Sequence, residues 1–253
     1  MGDPAEEAAR LIGESRYAIA FTGAGISADS GIPTFRGANG LWRRFRPEEL
    51  ATPEAFRRNP RLVWEWYAWR MGIIARARPN AAHLALAALE RAGLLKAVIT
   101  QNVDGLHQRA GSRRVIELHG NIWRARCVAC GHTWQLARPP SMDEIPLRCP
   151  RCGALARPDV VWFGEPLPEL PLRRAFEEAS RADLVIVVGT TGVVEPAGSI
   201  PVYAWEHGAD IINVNPEPNR YSGIASVEAR ERAAPFFERL AAIMGLRLEC
   251  AEC

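Results

Sequence analysis

Five short runs of mainly apolar, often β-branched residues recur along the chain, with helix-like segments between most of them. The runs are Tyr17 to Thr22, Ala97 to Thr100, Val115 to Leu118, Leu184 to Val188 and Asp210 to Val214. Strands that are covered on both faces show this nearly continuous apolar pattern. Their alternation with helices predicts an α/β fold built on a doubly wound, Rossmann-like parallel sheet.

Helix signals fill most of the chain between and after these runs. Asn80 is a candidate N-cap for a helix that stops before Gly93, and further helices are predicted over 171–181, 199–206 and 235–244. The segment 41–78 breaks the alternation, because it is a long helical stretch rich in arginine and tryptophan. Thr52 is its candidate N-cap, with Pro53 at the first helical position.

A second segment that breaks the alternation carries four cysteines. Two C-x2-C pairs, eighteen residues apart, are formed by Cys127, Cys130, Cys149 and Cys152. This spacing is typical of a tetrahedral four-thiolate zinc site. Four protein ligands leave no position for water, so the predicted Zn²⁺ is structural. Cys250 and Cys253 repeat the spacing without a second pair, and we expect free thiols in a disordered tail.

The two irregular segments predict a two-lobed arrangement of one 253-residue catalytic domain. We assign 1–40, 79–122 and 156–253 to a large lobe. A smaller lobe combines the helical insert 41–78 with a zinc ribbon at 123–155.

Composition narrows the classes of partner. The chain is 48% hydrophobic and 24% charged, with a formal net charge of +2, so no global charge favours nucleic acid or an anionic membrane. Residues 1–10 are charged and resemble no secretory signal. No apolar run approaches the ~20 residues that span a bilayer. We therefore expect a cytoplasmic protein.

The first apolar run ends in a glycine turn. Backbone amides around Gly23, Ala24, Gly25 and Ile26 could cradle a pyrophosphate. The dehydrogenase fingerprint requires a glycine three residues after the second one, where this chain has Ala28. A nucleotide site is therefore compatible with this turn, whereas hydride transfer is disfavoured.

Three further strand ends carry small or amide-bearing residues. They are Gln101, Asn102, Val103 and Asp104 after one strand, Gly189, Thr190 and Thr191 after another, and Asn215, Pro216 and Glu217 after a third. Ligands of open α/β sheets lie outside the carboxyl ends of the strands. Together these ends predict a dinucleotide cleft.

Several motifs, in order along the chain, resemble the signature of the sirtuin family. They are GAGIS at 23–27, GIPTFR at 31–36, QNVDGLH at 101–107, ELHG at 117–120 and PDVVWFGE at 158–165. The four cysteines lie where sirtuins carry zinc, and Gly189, Thr190, Thr191 and Asn215 also match. The resemblance extends from about residue 18 to residue 219.

The resemblance implies an NAD-dependent protein-lysine deacylase, with NAD consumed as a co-substrate. The acyl oxygen attacks C1′ of the nicotinamide ribose and nicotinamide leaves. His119 then acts as general base on a ribose hydroxyl, for which an imidazole of pKa ~6.5 is suited. The products are free lysine and O-acyl-ADP-ribose. Asn102 and Asp104 complete the catalytic group by holding the ribose and nicotinamide.

The remaining site residues also follow from the resemblance. Phe35 would shield the reactive face and Arg36 would order the cofactor loop. The other implied NAD contacts are Gly23, Ala24, Gly25, Ile26, Ala28, Thr34, Trp42, Gln101, Val103, Gly189, Thr190, Thr191, Asn215, Pro216 and Glu217. The usual glycine- and alanine-rich adenine contact is missing from 228–235, and Arg230 is our candidate there.

The substrate side is implied in the same way. Val161, Trp162 and Phe163 would line an acyl-lysine tunnel, and the backbone near Gly164 and Glu165 would pair with an extended peptide. Tyr67 and Arg70 are three residues apart and share a helix face. This pair resembles sirtuins that remove succinyl and malonyl groups, since a phenol and a guanidinium can bind a carboxylate.

Two other functions stay open at this point: a protein mono-ADP-ribosyltransferase using the same cleft, and a zinc-ribbon nucleic-acid-binding module. The near-neutral charge and the presence of His119 argue against the second. The expected partners are acylated proteins or peptides, without nucleic acid or membrane. The oligomeric state is unspecified, and a monomer is compatible with the sequence.

Overall fold

The computed structural model of the protein describes residues 2–35 and 40–250, apart from the side chain of Trp42. The helices of these ranges are α1 Pro4–Glu14, α2 Pro47–Leu50, α3 Pro53–Arg58, α4 Pro60–Arg76, α5 Ala81–Arg91, α6 Leu106–Ala110, α7 Glu169–Arg181, α8 Ser199–Glu206 and α9 Ala233–Met244. The strands are β1 Ala18–Thr22, β2 Leu95–Thr100, β3 Val115–Glu117, β4 Gly120–Cys127, β5 Thr133–Gln135, β6 Ala156–Val160, β7 Leu184–Val188, β8 Asp210–Val214 and β9 Val227–Ala229.

Six strands form one parallel sheet in the order β3-β2-β1-β7-β8-β9. Counted along the chain, this is the order 3-2-1-4-5-6 of doubly wound dinucleotide-binding folds. The predicted fold class is therefore confirmed. The order reverses between β1 and β7, which places a crevice at the carboxyl ends of those two strands.

Successive side chains of the central strands enter opposite cores. In β1, Ala20 packs in a core with α1, α5 and α9, whereas Ile19 and Phe21 pack with α7 and α8. Strand β7 divides in the same way, with Ile186 on the first face and Val187 on the second. Both faces are thus covered, which explains why these strands are apolar without alternation.

A second sheet, antiparallel and three-stranded, has the order β5-β4-β6. Its core contains Trp64, Tyr67 and Met71 of α4 together with Ile122 and Trp162. The strands of this sheet begin at Gly120 and end at Val160. They extend beyond the 123–155 segment that we predicted as a zinc ribbon, and the division into lobes stays a proposal.

The predicted helical stretch 41–78 is interrupted. It contains a 3₁₀ turn, Leu41–Arg43, followed by α2, α3 and α4. Pro47, Pro53 and Pro60 each open one of these helices, because proline lacks a backbone donor and disfavours helical geometry in the residue before it. The predicted cap is confirmed, since Thr52 Oγ1 accepts from Ala55 N at 3.0 Å.

The other predicted elements are confirmed within two residues at their ends, including the Asn80 cap, whose side chain accepts from Ala82 N at 3.0 Å. Sequence analysis did not predict α1, α6 or the strands β4, β5, β6 and β9. Among the described helices, none is both long and apolar enough to cross a membrane.

Candidate active site

Two glycines bring the ends of β1 and β7 together at the crevice. Gly25 N donates to Gly189 O at 2.8 Å. A Cβ on Gly25 would lie 2.6 Å from Gly189 Cα, and one on Gly189 would lie 2.3 Å from Ile26 N. Gly189 also has a φ of +63°, which an L side chain disfavours. The bare backbone here fits the close approach that a pyrophosphate needs.

The loop after β2 joins this crevice through side-chain hydrogen bonds. Gln101 Nε2 donates to Thr190 Oγ1 at 2.9 Å, and Asn102 Nδ2 donates to Gly23 O at 3.1 Å. The structure therefore brings the predicted groups of three strand ends, β1, β2 and β7, into one cluster.

Asp104 lies below this loop and is 5% exposed. Its carboxylate accepts from Ser27 Oγ at 2.8 Å and from Leu106 N at 2.9 Å. Burial raises the pKa of Asp104, while these two donors act in the opposite direction. The carboxylate is thus fixed in place beside Asn102, whose Nδ2 donates to Ser27 Oγ at 3.3 Å.

Sequence analysis missed the buried polar residues that support this pair. His83 is fully buried, and its Nδ1 accepts from Asn80 N at 3.3 Å. Nε2 therefore carries the proton and points to Ser27 Oγ at 3.4 Å. Burial lowers the pKa of His83 well below its usual value, so the ring is neutral. Ser27 belongs to the GAGIS motif, which was the available signal.

The His119 side chain is oriented by a backbone carbonyl. It follows β3, is partly buried, and its Nδ1 lies 3.0 Å from Gln101 O. Since a carbonyl only accepts, Nδ1 carries the proton and Nε2 keeps a lone pair. Burial lowers the pKa of His119, with the Gln101 bond opposing that shift in part. The arrangement suits a neutral general base.

A cavity opens beside Asn102 and Asp104. Its lining is Ala24, Ser27, Ile32, Pro33, Phe35, Arg70, Ile74, Asn102, Val103 and Asp104. The structure thus places the predicted cofactor residues Phe35, Asn102 and Asp104 together with Arg70, a residue predicted for the acyl group.

Arg70 is 8% exposed, and its guanidinium stacks on aromatic rings. Its Cζ lies 4.8 Å from the ring centroid of Phe35, 4.9 Å from that of Trp66 and 5.7 Å from that of Tyr67. Within the described ranges Arg70 makes no hydrogen bond or salt bridge, and the carboxylate of Asp104, which lines the same cavity, acts on it only as a longer-range charge. A buried cation in this state favours an anionic ligand.

The predicted tunnel residues lie against α4 and His119. Val161 N donates to His119 O at 2.9 Å, and Trp162 Nε1 donates to the hydroxyl of Tyr67 at 2.9 Å. Phe163 is 44% exposed and its N–H donates to Ala51 O at 2.9 Å. The loop therefore connects the predicted base to the predicted acyl-binding phenol.

The four cysteines of the two C-x2-C pairs come together, with their Sγ atoms all within 4.8 Å of one another. Cys130 N and Ala129 N donate to Cys127 Sγ at 3.4 Å each, which lowers the pKa of that thiol to about 6. Donors of this kind stabilise a thiolate, so the donor set fits one four-coordinate Zn²⁺. Gly131 and Gly153 follow the pairs with φ near +70°, as a turn requires.

The tail differs from its prediction. Cys250 is disulfide-bonded, so the expectation of a free thiol is wrong for this residue. The prediction of free thiols relied on the lack of a second C-x2-C pair near Cys250. That lack argues against a metal site, but it does not argue against a disulfide, which needs only one other sulfur. Cys253 lies outside the described residues.

The remaining predicted contacts are dispersed along the crevice. Ala28 lies in a 3₁₀ turn, Ala24–Ser30, and Thr34 O accepts from Leu41 N at 2.9 Å. Thr191, Pro216 and Glu217 follow β7 and β8, and Asn215 Nδ2 donates to Glu217 O at 2.6 Å. Arg230 pairs with Glu228 at 2.6 Å, and its adenine contact stays a prediction. Arg36 and the side chain of Trp42 lie outside the described structure.

Comparison with known proteins identifies the family. The Sir2 family model matches residues 23–196. An NAD-dependent protein deacylase of Aeropyrum pernix is 62% identical over 240 residues, covering 95% of this chain and 97% of that protein. An NAD-dependent protein deacylase 2 of Pyrobaculum aerophilum is 57% identical, covering 92% of each chain.

Solved structures give the same result. A Sir2 homologue in complex with NAD has a TM-score of 0.90 and 50% identity, covering 95% of this chain and 93% of that one. A Sir2 complex with a p53 peptide and NAD⁺ has a TM-score of 0.84 and 36% identity, covering 95% and 98%. The family predicted from the motifs is therefore confirmed: this chain belongs to the Sir2 family, the sirtuins.

Proposed function

We propose that the protein removes acyl groups from lysine side chains and consumes NAD, releasing nicotinamide, O-acyl-ADP-ribose and free lysine. Family membership, the deacylase names of relatives that match nearly the whole chain, and the grouped polar side chains of the crevice support this activity. The proposed substrates are acylated proteins or peptides. The four clustered thiols are typical of a reducing compartment, which supports action in the cytoplasm, whereas the disulfide of Cys250 does not.

The described residues divide the work of the reaction between them. Bound NAD would supply an electrophilic ribose carbon once nicotinamide leaves. Asn102 and Asp104, fixed by Ser27, would hold the ribose and nicotinamide. His119 Nε2, with its free lone pair, would take a proton from a ribose hydroxyl. Phe35 and the other apolar residues of the cavity would limit the access of water.

The substrate peptide is proposed to lie along Gly164 and Glu165. Within the described structure no backbone hydrogen bond uses the N–H or the carbonyl of Gly164. Phe163 beside it is 44% exposed and offers apolar surface. An extended peptide could therefore add as a strand at this position.

We further propose that the preferred acyl groups are acidic, succinyl and malonyl, with acetyl as a weaker substrate. The state of Arg70 carries this proposal: its nearly buried guanidinium lines the cavity and makes no salt bridge or hydrogen bond among the described residues, while Asp104 acts on it only as a longer-range charge. A terminal carboxylate on the acyl chain would supply that partner. Tyr67 lies three residues earlier on the same helix face, and burial raises its pKa, so its phenol stays protonated and can donate.

Replacing Arg70 with methionine is expected to remove this preference. Turnover of a succinyl-lysine peptide should lose roughly 2–5 kcal/mol of transition-state stabilisation in kcat/KM, because a desolvated charge pair is broken. Acetyl-lysine turnover should change far less. Steady-state kinetics on succinyl, malonyl and acetyl peptides, with products identified by mass spectrometry, measures both.

The matched control is Arg76→Met, an exposed arginine on the same helix, which should leave both activities unchanged. Tyr67→Phe should lower succinyl turnover by a smaller factor than Arg70→Met, since it removes a neutral donor. Intact succinyl-peptide turnover in Arg70→Met, or an equal loss for both acyl groups, would refute the acidic-acyl proposal.

Deacylation is expected to persist at lower pH than an ordinary imidazole base would allow. Burial lowers the pKa of His119 from 6.5, and only the neutral ring can act as a base. Activity is therefore full above this lowered pKa and is lost as the pH falls through it. The acid limb of kcat/KM, which reports the free enzyme, should have its midpoint below 6.5. A midpoint clearly above 6.5 would contradict the assignment.

A further inference from the structure

Arg157 is a second buried arginine close to the predicted acyl site, and it differs from Arg70 in having its charge neutralised. It lies on β6 and is 7% exposed. Its two Nη atoms donate to the two Glu165 oxygens at 2.5 and 2.8 Å, and Nη2 also donates to Val160 O at 2.8 Å. This bidentate pair closes the loop from Val160 to Glu165 on itself.

The same guanidinium fixes the ring of Trp162. Arg157 Cζ lies 3.4 Å from the centre of that ring, which is a close stacking contact. Glu165 also accepts from Trp162 N at 2.8 Å. Trp162 is therefore held by its backbone and by one face of its ring, and its rotation is restricted.

Trp162 in turn determines how the hydroxyl of Tyr67 can bond. Its Nε1–H donates to the Tyr67 oxygen at 2.9 Å. Tyr67 is 3% exposed, and its own hydroxyl proton has no acceptor among the described residues. A phenol that already accepts from an indole presents its single proton to a ligand, so the direction of that proton depends on Trp162.

We propose that Arg157 is a positioning residue for acyl selection, which acts through Trp162 on the hydroxyl of Tyr67. The inference rests on the proposed acidic-acyl activity, because it explains how the Tyr67 donor is directed to the acyl carboxylate. We do not assign Arg157 to bind that carboxylate itself, since both of its Nη atoms already donate to Glu165 and Val160 O; its buried Nε has no partner among the described residues. The residues that would determine acyl selection thus come from α4, β6 and the loop that follows β6.

Two single variants test the chain of contacts at different points. Trp162→Phe removes the indole N–H and keeps an aromatic ring for Arg157 to stack on. Arg157→Lys keeps the charge for Glu165 and removes the flat stacking surface. Each variant is expected to lower kcat/KM for a succinyl peptide about fivefold, mainly through KM, because one neutral hydrogen bond is misdirected. Because Trp162 also lines the predicted acyl-lysine tunnel, acetyl turnover is not used as an unchanged baseline; the readout is the succinyl-to-acetyl ratio of kcat/KM, which should fall in both variants.

A double-mutant cycle with Tyr67→Phe separates positioning from general loss of structure. If Trp162 and Arg157 act through the Tyr67 hydroxyl, adding either change to Tyr67→Phe should not alter the succinyl-to-acetyl ratio further. A purely structural role would give additive losses for both substrates. Thermal denaturation of each variant reports the fold independently of activity.

The outcomes distinguish the two proposals. Wild-type desuccinylation that survives unchanged in Trp162→Phe and Arg157→Lys overturns this inference and leaves the proposed function intact. Additive effects in the Tyr67→Phe background also overturn it. Absence of succinyl and malonyl turnover in the wild-type protein overturns the acidic-acyl proposal, and this inference falls with it.

Discussion

Substitution of His119 by alanine is expected to reduce deacylation by about 10²–10⁴-fold, the range typical of a lost general base. The side chain donates from Nδ1 to Gln101 O and leaves Nε2 free to accept a proton. Its proposed step follows the departure of nicotinamide, so NAD binding and nicotinamide exchange should be affected much less than product formation. Separate assays of labelled nicotinamide exchange and of deacylated peptide test this difference.

His207 supplies a matched control for that experiment. It is an exposed histidine that follows α8 and is none of the predicted site residues, so His207→Ala should leave both activities unchanged. Product formation near the wild-type rate in His119→Ala would remove His119 from the role of base. A loss of exchange as large as the loss of product would instead assign it to an earlier step.

Loss of one zinc ligand is the second change with a large expected effect. Cys149→Ser alters a thiol that is 3% exposed and lies in the four-cysteine cluster. Structural zinc contributes folding free energy directly, about 10–16 kcal/mol in isolated zinc-finger peptides. We expect the protein to lose its one equivalent of zinc, to melt about 10 °C lower, and to lose deacylation with the fold of the three-stranded sheet. Metal analysis and calorimetry measure this.

Cys250→Ser makes the same substitution outside the cluster and should leave the zinc content unchanged; because Cys250 is disulfide-bonded, its melting temperature is not a control readout. Exchange of zinc for Co²⁺ separates structure from chemistry. The cobalt protein should show the absorption of a tetrahedral thiolate site and retain its deacylation rate, since four thiolates leave no position for water. If the deacylation rate changes when Co²⁺ replaces zinc, but the melting temperature does not, the ion has a catalytic role.

The large sheet could be predicted because its strands are buried on both faces. Val185, Ile186 and Val187 enter two different cores in succession, and this produces an apolar run that is visible in one sequence. The three-residue strands β5 and β9 contain polar residues and lie in no apolar run, whereas the equally short β3 lies in the predicted run Val115 to Leu118. The structure of β5 and β9 depends on neighbouring strands that the local sequence does not reveal.

The helical insert was predicted as one stretch although the structure divides it. Propensity and apolar spacing continue through the segment, but Pro53 and Pro60 begin new helices and end the preceding ones. A proline both begins a helix and stops the one before it, so the single predicted stretch is divided at these positions.

The candidate site was predicted where chemistry and spacing coincide, as with the four cysteines and the strand-end motifs. The site residues whose roles depend on their burial in the folded protein were not predicted. Nothing in the sequence distinguishes His83, and only the fold places its Nε2 3.4 Å from Oγ of Ser27, a residue of the GAGIS motif that donates to Asp104. Arg157 is likewise one of many arginines until its stacking on Trp162 is known.

The contact between Gly25 and Gly189 also constrains how a sequence of this kind can change. Each glycine occupies the space that a side chain on the other would need, since either Cβ would lie under 3.0 Å from backbone atoms of the other strand end. Neither position can be altered first, and altering both together increases the overlap. No sequence of single substitutions can therefore replace both glycines without passing through a clashing intermediate. Descendants of such a chain can diversify in their acyl preference while this junction of the two strand ends stays unchanged.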